Sequence, residues 1–474
     1  MTLTTSLQAT QYRLARHYLE KLRTADKAVR RGQASAAYGF TLFDQELEQI
    51  KRWQGWAARG KYNDEARMQV CKEFPLAGLE ILATRSNATE QVDWLLTALE
   101  AAQQLHDHEA ERSLCYELRT IYYRLGMPEK VEYYANQLLK LGEAANDLLA
   151  IERAYQGLGS AAEERGEFAE AETYYLRALQ LSMELGIDVE IGQALNSLGM
   201  VADSLGDYQT AYHYFSRYLE LIEAGGKKDR VCHALLMMGH ILISLQNYGS
   251  AEDYLQRAAQ IGRALDLRRL YGVSLLHLGW LMRKQNQLEA AYSYLEEGVQ
   301  VVRSVGIVRQ ITSGLSEQGY TLLRMGNPLA ALARLQEGLQ LAREAGHALF
   351  ICTLQGYLSV THLALNDADA ARCALREMFT LVQNLDSRPQ KVEAISIAVA
   401  YYQHLGLNRQ AAVWTGTIIG DPHLDEYFDL PIYSKLEAAL GSKAYQRALD
   451  RGKTRSVDEV VVQIMNLLDN SAGL

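Results

Sequence analysis

Leu205-Gly206-Asp207-Tyr208 decides the reading of this chain, because it has counterparts at one fixed distance on both sides. Upstream stand Arg165-Gly166-Glu167-Phe168 and Leu125-Gly126-Met127-Pro128. Downstream stand Leu245-Gln246-Asn247-Tyr248, Gln285-Asn286-Gln287-Leu288, Met325-Gly326-Asn327-Pro328, Leu365-Asn366-Asp367-Ala368 and Leu405-Gly406-Leu407-Asn408. Their second residues fall at 126, 166, 206, 246, 286, 326, 366 and 406, a period of 40. That residue is Gly or Asn except at Gln246, which suits a helix C-cap in the left-handed region. Pro128 and Pro328 share one phase, where a missing N–H at the start of the next helix costs nothing.

The flanks keep the same register. Seven residues before each turn stands Gly159, Gly199, Gly239, Gly279 or Gly319. Five after it stands Ala171, Ala211, Ala251, Ala291, Ala331, Ala371 or Ala411, and four further on a bulky residue such as Tyr175, Phe215, Leu255, Leu295, Leu335 or Leu375. Small residues at fixed places let two antiparallel helices approach, and the large ones fill the remaining gap. Each unit is a helical hairpin that cannot bury its apolar face alone, so neighbouring units must stack.

The pattern Leu198-Gly199…Ala202…Ala211…Phe215 resembles the tetratricopeptide repeat (TPR). The 40-residue form, closed by Ala178-Leu179-Gln180-Leu181…Glu184-Leu185-Gly186, is similar to repeats of kinesin light chains and of the maltose-regulon activator family. The resemblance spans residues 109–420 as eight repeats, with a degenerate ninth near 71–108, where Gln91, Leu95 and Ala98 keep the phase. It implies an all-α, right-handed superhelical solenoid of eight to nine hairpins with helical caps. The domains expected are an N-terminal cap and linker over 1–70, the repeat array over 71–420 and a C-terminal cap over 421–474.

The ends carry a further resemblance. Arg16-His17-Tyr18-Leu19…Leu42-Phe43-Asp44…Glu48…Trp53-Gln54-Gly55-Trp56-Ala57 is similar to a stretch of bacterial STAND-class signalling ATPases, where it leads into the repeat sensor. A plain helical cap, with Trp53 and Trp56 covering the first hairpin, accounts for the same residues. Leu440-Gly441…Tyr445…Ala448…Gly452…Ser456-x-x-Glu459 resembles the closing segment of such regulators. A turn-rich link near Asp421-Pro422-His423 and Leu430-Pro431 is expected to precede two helices, over 436–450 and 456–468. The second opens with a capping box, Ser456-x-x-Glu459.

Composition restricts the function. The chain has 474 residues, 48% hydrophobic and 22% charged, as in a globular protein, with only 6 prolines. Its apolar runs fall far short of the ~18 residues of a membrane span. The five cysteines form no C-x-x-C pair, so a reducing, cytoplasmic setting is expected. A net charge of −9 argues against a nucleic-acid backbone binder. The phosphate loop G-x-x-x-x-G-K-S/T is missing; Gly441-Ser442-Lys443 lacks its upstream glycine. His233 and His240 share a helix face but lie about 10 Å apart along the axis, too far to share one zinc. No metal, cofactor or catalytic residue is expected, and the chain reads as a non-enzyme.

The concave face of a TPR array, lined by the first helix of each hairpin, is the usual binding surface. The resemblance places groove positions at −6, −3, +1 and +4 from the packing glycine. Carried over, these give Asn196, His233, His240, Trp280, Arg283 and Tyr320 as candidate ligand- or partner-binding residues. Trp280 either lines the groove or is wedged between repeats as core. The function expected is a binding solenoid, the ligand- or protein-sensing domain of a bacterial STAND-type protein. Alternatives are a stand-alone TPR scaffold or adaptor and an intracellular peptide sensor. Partners would be a protein, a peptide or a small-molecule inducer held in the groove, with neither nucleic acid nor membrane involved.

Overall fold

The computed structural model describes residues 2–31, 33–59, 64–421, 423–424 and 426–470. Among them are 24 helices and no strand. The first five are α1 (Thr2–Arg30), α2 (Gln33–Arg59), α3 (Glu65–Ala77), α4 (Leu79–Arg85) and α5 (Ala88–Gln104). The periodic region follows as α6 (His108–Arg124), α7 (Pro128–Ala145), α8 (Leu148–Arg165), α9 (Phe168–Leu185), α10 (Asp188–Leu205) and α11 (Tyr208–Gly225). It continues through α12 (Lys228–Ser244), α13 (Tyr248–Ala264), α14 (Arg268–Lys284), α15 (Leu288–Val305), α16 (Val308–Arg324) and α17 (Pro328–Glu344). It ends with α18 (Ala348–Ala364), α19 (Ala368–Val382), α20 (Arg388–His404) and α21 (Asn408–Ile418), before α22 (Glu426–Leu440), α23 (Ser442–Gly452) and α24 (Val457–Asn470).

All eight turn positions of the forty-residue series, 126 through 406, adopt positive φ, Gln246 included. A second series, half a period away, does the same at His106, Asn146, Gly186, Gly226, Asp266, Gly306 and Gly346. The backbone therefore passes through the left-handed region about every twenty residues, which reverses each helix onto the next. Asp386, next in phase, departs from this rule.

The chain forms two compact units, Met1–Ala161 with Arg177–Gly186, and Ala162–Leu176 with Ile187–Leu474. In the first unit, Leu19, Leu22, Phe43, Trp53, Phe74 and Trp94 pack α1–α5 around one core. Asp26 is buried there and accepts the N–H groups of Glu80 (2.8 Å) and Ile81 (3.0 Å), capping the start of α4.

In the second unit the expected packing pairs meet. A Cβ placed on Gly199 would lie 2.5 Å from the Phe215 ring, and one on Gly239, Gly279 or Gly319 would strike Leu255, Leu295 or Leu335. Ala211, Ala251, Ala291, Ala331, Ala371 and Ala411 are fully buried. The helices touch where these glycines leave room, and each hairpin buries its face against the next.

The C-terminal helices close this unit's apolar end. Trp414 is fully buried with Leu436, Leu449, Val460 and Ile464. The capping box forms reciprocally: Ser456 N–H donates to Glu459 (3.0 Å), and Glu459 N–H donates to Ser456 Oγ (3.2 Å). Two expectations are corrected here. Leu430-Pro431 lies inside α22 rather than in a link, and the helix expected over 436–450 is interrupted at Gly441 (φ 77°). Pro422 lies outside the described residues.

Candidate ligand-binding chamber

The second unit curls until distant turns meet. Ser387 Oγ–H donates to the Ser204 carbonyl (2.7 Å), and the Asp386 N–H donates to the Gly166 carbonyl (3.2 Å). Leu385 lies over Gly166, and the His423 ring lies over Gly206 and edge-on to Tyr208, 5.0 Å between centroids. Arg309 reaches Glu164 at 3.4 Å. The inner sides of α10, α12, α14, α16 and α18 thereby face α20 and the 423–424 segment across a shared hollow.

That hollow has two lobes, of about 390 and 350 Å³, joined at His240, Leu276, His277 and Ser313. Trp280, Tyr320, Tyr357, Glu317, Gln390 and Glu393 line the first. Phe168, Met200, Phe215, Met237, Leu349 and Phe350 line the second. At the junction the His240 ring lies 5.1 Å from Trp280 and 5.2 Å from His277. Tyr320 and Tyr357 stack at 4.6 Å, and the Arg283 guanidinium covers the Tyr320 ring at 4.7 Å.

Most ionisable groups of the chamber are engaged with each other. His240 Nε2 meets Asp203 at 2.9 Å, Arg283 Nε donates to Glu317 at 2.9 Å, and Tyr175 O–H donates to Glu163 at 2.8 Å. Burial disfavours the charged form of His240, but the Asp203 carboxylate outweighs it and holds the imidazole above its ordinary pKa. His277 has no such carboxylate; burial, reinforced by the neighbouring histidines, pushes it down to about 3. Burial raises the Glu163 carboxyl, against the pull of the Tyr175 hydrogen bond.

Five polar atoms of chamber residues have no hydrogen-bond partner among the described residues: His277 Nδ1, Gln310 Oε1, His347 Nδ1, Gln390 Oε1 and His423 Nδ1. These atoms lie just beneath the chamber surface rather than on it.

The family comparison agrees with the repeat geometry: a family model described as Tetratricopeptide repeat matches residues 150–224 and 230–304. These hairpins are tetratricopeptide repeats. A second model, Anaphase-promoting complex subunit 5, matches residues 317–355 within the TPR array. A search of curated proteins finds no match. Among solved structures, a Rap protein complexed with competence and sporulation factor aligns with a TM-score of 0.56 at 14% identity, covering 79% of this chain and 100% of its own. The apo form of RapI gives 0.50 at 16% identity, covering 59% and 97%. A STAND protein with a tetratricopeptide repeat sensor from Pyrococcus horikoshii gives 0.44 at 17%, covering 72% and 52%. At such identities the likeness is one of fold: an all-α superhelical TPR solenoid.

Within this TPR array the chamber gathers four of the six residues singled out from sequence: His240, Trp280, Arg283 and Tyr320. Trp280 is half-buried, with an open edge on the chamber, rather than wedged in the core. Asn196 packs its amide on Met200 Sδ (3.7 Å) and does not line the chamber. His233 sits beside Tyr218 (3.5 Å) and lines a separate depression with Asp229, Arg230 and Arg268. Arg283 is 2% exposed and its Nε is tied to Glu317, so it borders the chamber without opening its guanidinium to it.

The face is wider than expected by one offset. Met237, His277, Glu317 and Tyr357 line the chamber from offset −2, beside Leu276 at −3, while Leu236 and Ser316 at −3 are buried. Offsets −6, −2 and +1 follow one stripe of a 3.6-residue helix. The signal was present in sequence: polar or aromatic residues recur at 277, 317 and 357 in otherwise apolar helices. Gln390, Glu393 and His423 gave none, since they lie on the opposite wall.

Proposed function

We propose that this chain is a non-catalytic binding solenoid whose chamber recognises a peptide, a protein segment or a small-molecule inducer. In this reading it is the sensing domain of a bacterial, cytoplasmic STAND-type signalling protein. The observation that carries the binding role is the pair of adjoining lobes, one lined by Trp280, Tyr357, Gln390 and Glu393 and the other by Met200, Met237 and Phe350. Enclosed hollows of a few hundred Å³ with few, placed polar groups are characteristic ligand sites. The STAND assignment is supported by the resemblance of residues 16–57 and 440–459 to such regulators.

A second reading, an intracellular peptide sensor, is favoured by the fold likeness to the Rap protein complexed with competence and sporulation factor. One experiment serves both: a thermal-shift screen of peptides, nucleotides and sugars, repeated on Trp280→Ala. A ligand at a hundredfold excess over its Kd stabilises the folded state by about 2.7 kcal/mol, and that shift should shrink in the variant. A set of ligands whose shifts are all indifferent to Trp280→Ala, or no shift with any of them, would sink the reading.

A further inference from the structure

We infer that the chamber takes a compact amphipathic ligand, its bulky apolar group seated in the lobe walled by Phe168, Met200, Phe215, Met237 and Phe350, and its polar end seated among His277, Glu317, Gln390 and Glu393. This rests on the binding role proposed above and adds what the ligand must look like. Three observations lead to it.

The two lobes adjoin but are unlike. They share His240, Leu276, His277 and Ser313 as lining, which puts both within reach of one molecule. The second lobe presents carbon from Phe168, Met200, Phe215, Met237, Leu349 and Phe350, while its ionisable groups are held in pairs, Glu163 with Tyr175, Glu164 with Arg309 and Asp203 with His240, so an apolar group gains by displacing water there. Its two methionines can adapt to the shape of that group. The first lobe presents carboxylates, amides and hydroxyls alternating with Trp280 and Tyr357. A wholly apolar ligand would take these polar groups out of water with nothing in exchange; a wholly polar one would carry its own polar groups against the carbon of the second lobe.

The size is bounded as well. Lobes of about 390 and 350 Å³ are of small-molecule dimensions, not those of a folded partner. The polar end also meets both signs of charge, because Arg283, Lys284 and Glu317 line it from one wall and Glu393 from the other. A neutral or zwitterionic end is matched there, and a strongly charged one is not.

The polar contacts would come from both sides of the hollow: His277, Glu317 and Tyr357 line it from α14, α16 and α18, and Gln390, Glu393 and His423 line it from the wall opposite. A ligand end bonded to His277 and to Gln390 would bridge the two.

Titration calorimetry on the full chain with three dipeptides tests this: phenylalanyl-glutamine, diphenylalanine and glutaminyl-glutamine. Two filling variants accompany it, Ala348→Trp in the apolar lobe and Thr353→Trp in the polar lobe, each checked for native helicity by circular dichroism. The mixed dipeptide should bind about tenfold tighter than either uniform one, the worth of burying one phenyl side chain, and each filling variant should abolish it. If the dipeptides bind with Trp280 dependence but without preference for the mixed one, this inference is overturned while the binding role stands. If none binds, or if both filling variants bind the mixed dipeptide unchanged, the amphipathic chamber is overturned as well, and the binding role is then decided by the broader screen.

Discussion

Ser387 donates its hydroxyl to the backbone carbonyl of Ser204 at 2.7 Å, across 183 residues of chain. Beside it, the Ala169 N–H lies 3.4 Å from the Asp386 carboxylate, and Leu385 covers Gly166. The joint forms where the twenty-residue rhythm of left-handed turns lapses, between α19 and α20. Released from a helix-reversing turn, residues 385–387 extend onto the far end of the same unit. This joint closes the wall that makes a chamber out of a groove.

Two turn glycines separate the joint from ordinary turn strain. Gly166 (φ 79°) and Gly326 (φ 77°) share one conformation, but a Cβ on Gly166 would lie 2.6 Å from Leu385 and one on Gly326 would meet open space. Both alanine variants should lose about 1–2 kcal/mol to the left-handed backbone. Gly166→Ala should lose more and should speed hydrogen exchange at the Asp386 amide; equal losses and unchanged exchange would mean the joint carries no stability.

Ala251 is fully buried where α13 meets Gly239 of α12. Ala251→Trp should overpack that hairpin and cost about 1–3 kcal/mol or more in urea denaturation. A neutral result would contradict the packing register. Because repeats are coupled mainly to their neighbours, the loss should be felt first in hydrogen exchange of α12–α15.

Two tryptophans should behave differently on truncation. Trp414 is fully buried among the C-terminal helices, and Trp414→Ala should cost about 3–5 kcal/mol. Trp280 keeps an open edge on the chamber, so Trp280→Ala should cost far less in stability but about 2 kcal/mol or more in ligand affinity. Comparable stability losses for both would return Trp280 to the core.

The chamber histidines give stability two pH dependences of opposite sign. His277, pushed down to about 3, stays neutral when folded, whereas the unfolded chain takes up a proton near its ordinary pKa of about 6.5. Stability should therefore fall as pH drops from about 6.5 toward 3, and His277→Asn should flatten that fall. His240, held high by Asp203, contributes stability below its unfolded pKa that is lost as pH rises through its folded pKa. Asp203→Asn should accordingly cost more at about pH 5.5 than at about pH 9, read from urea midpoints; a pH-independent cost would show that the pair does not titrate as described.

The sequence by itself determined the repeat. A period of 40, left-handed positions from 126 to 406 and the pairing of Gly239 with Leu255 all follow from contacts within one hairpin or with its neighbour. Such contacts recur with the residues that make them, and so they are visible as a pattern. Four chamber residues were also legible, since a helix stripe is a local property, although the lining at offset −2 was not among them. Tertiary structure alone decided the rest: that Ser387 meets Ser204, that Gln390, Glu393 and His423 supply the opposite wall, and that Glu317 takes the fork of Arg283. Closure depends on the sum of small rotations over successive hairpins, each set by side-chain volumes at an interface. An error of a few degrees per repeat would separate the joint, and no residue pattern records that sum.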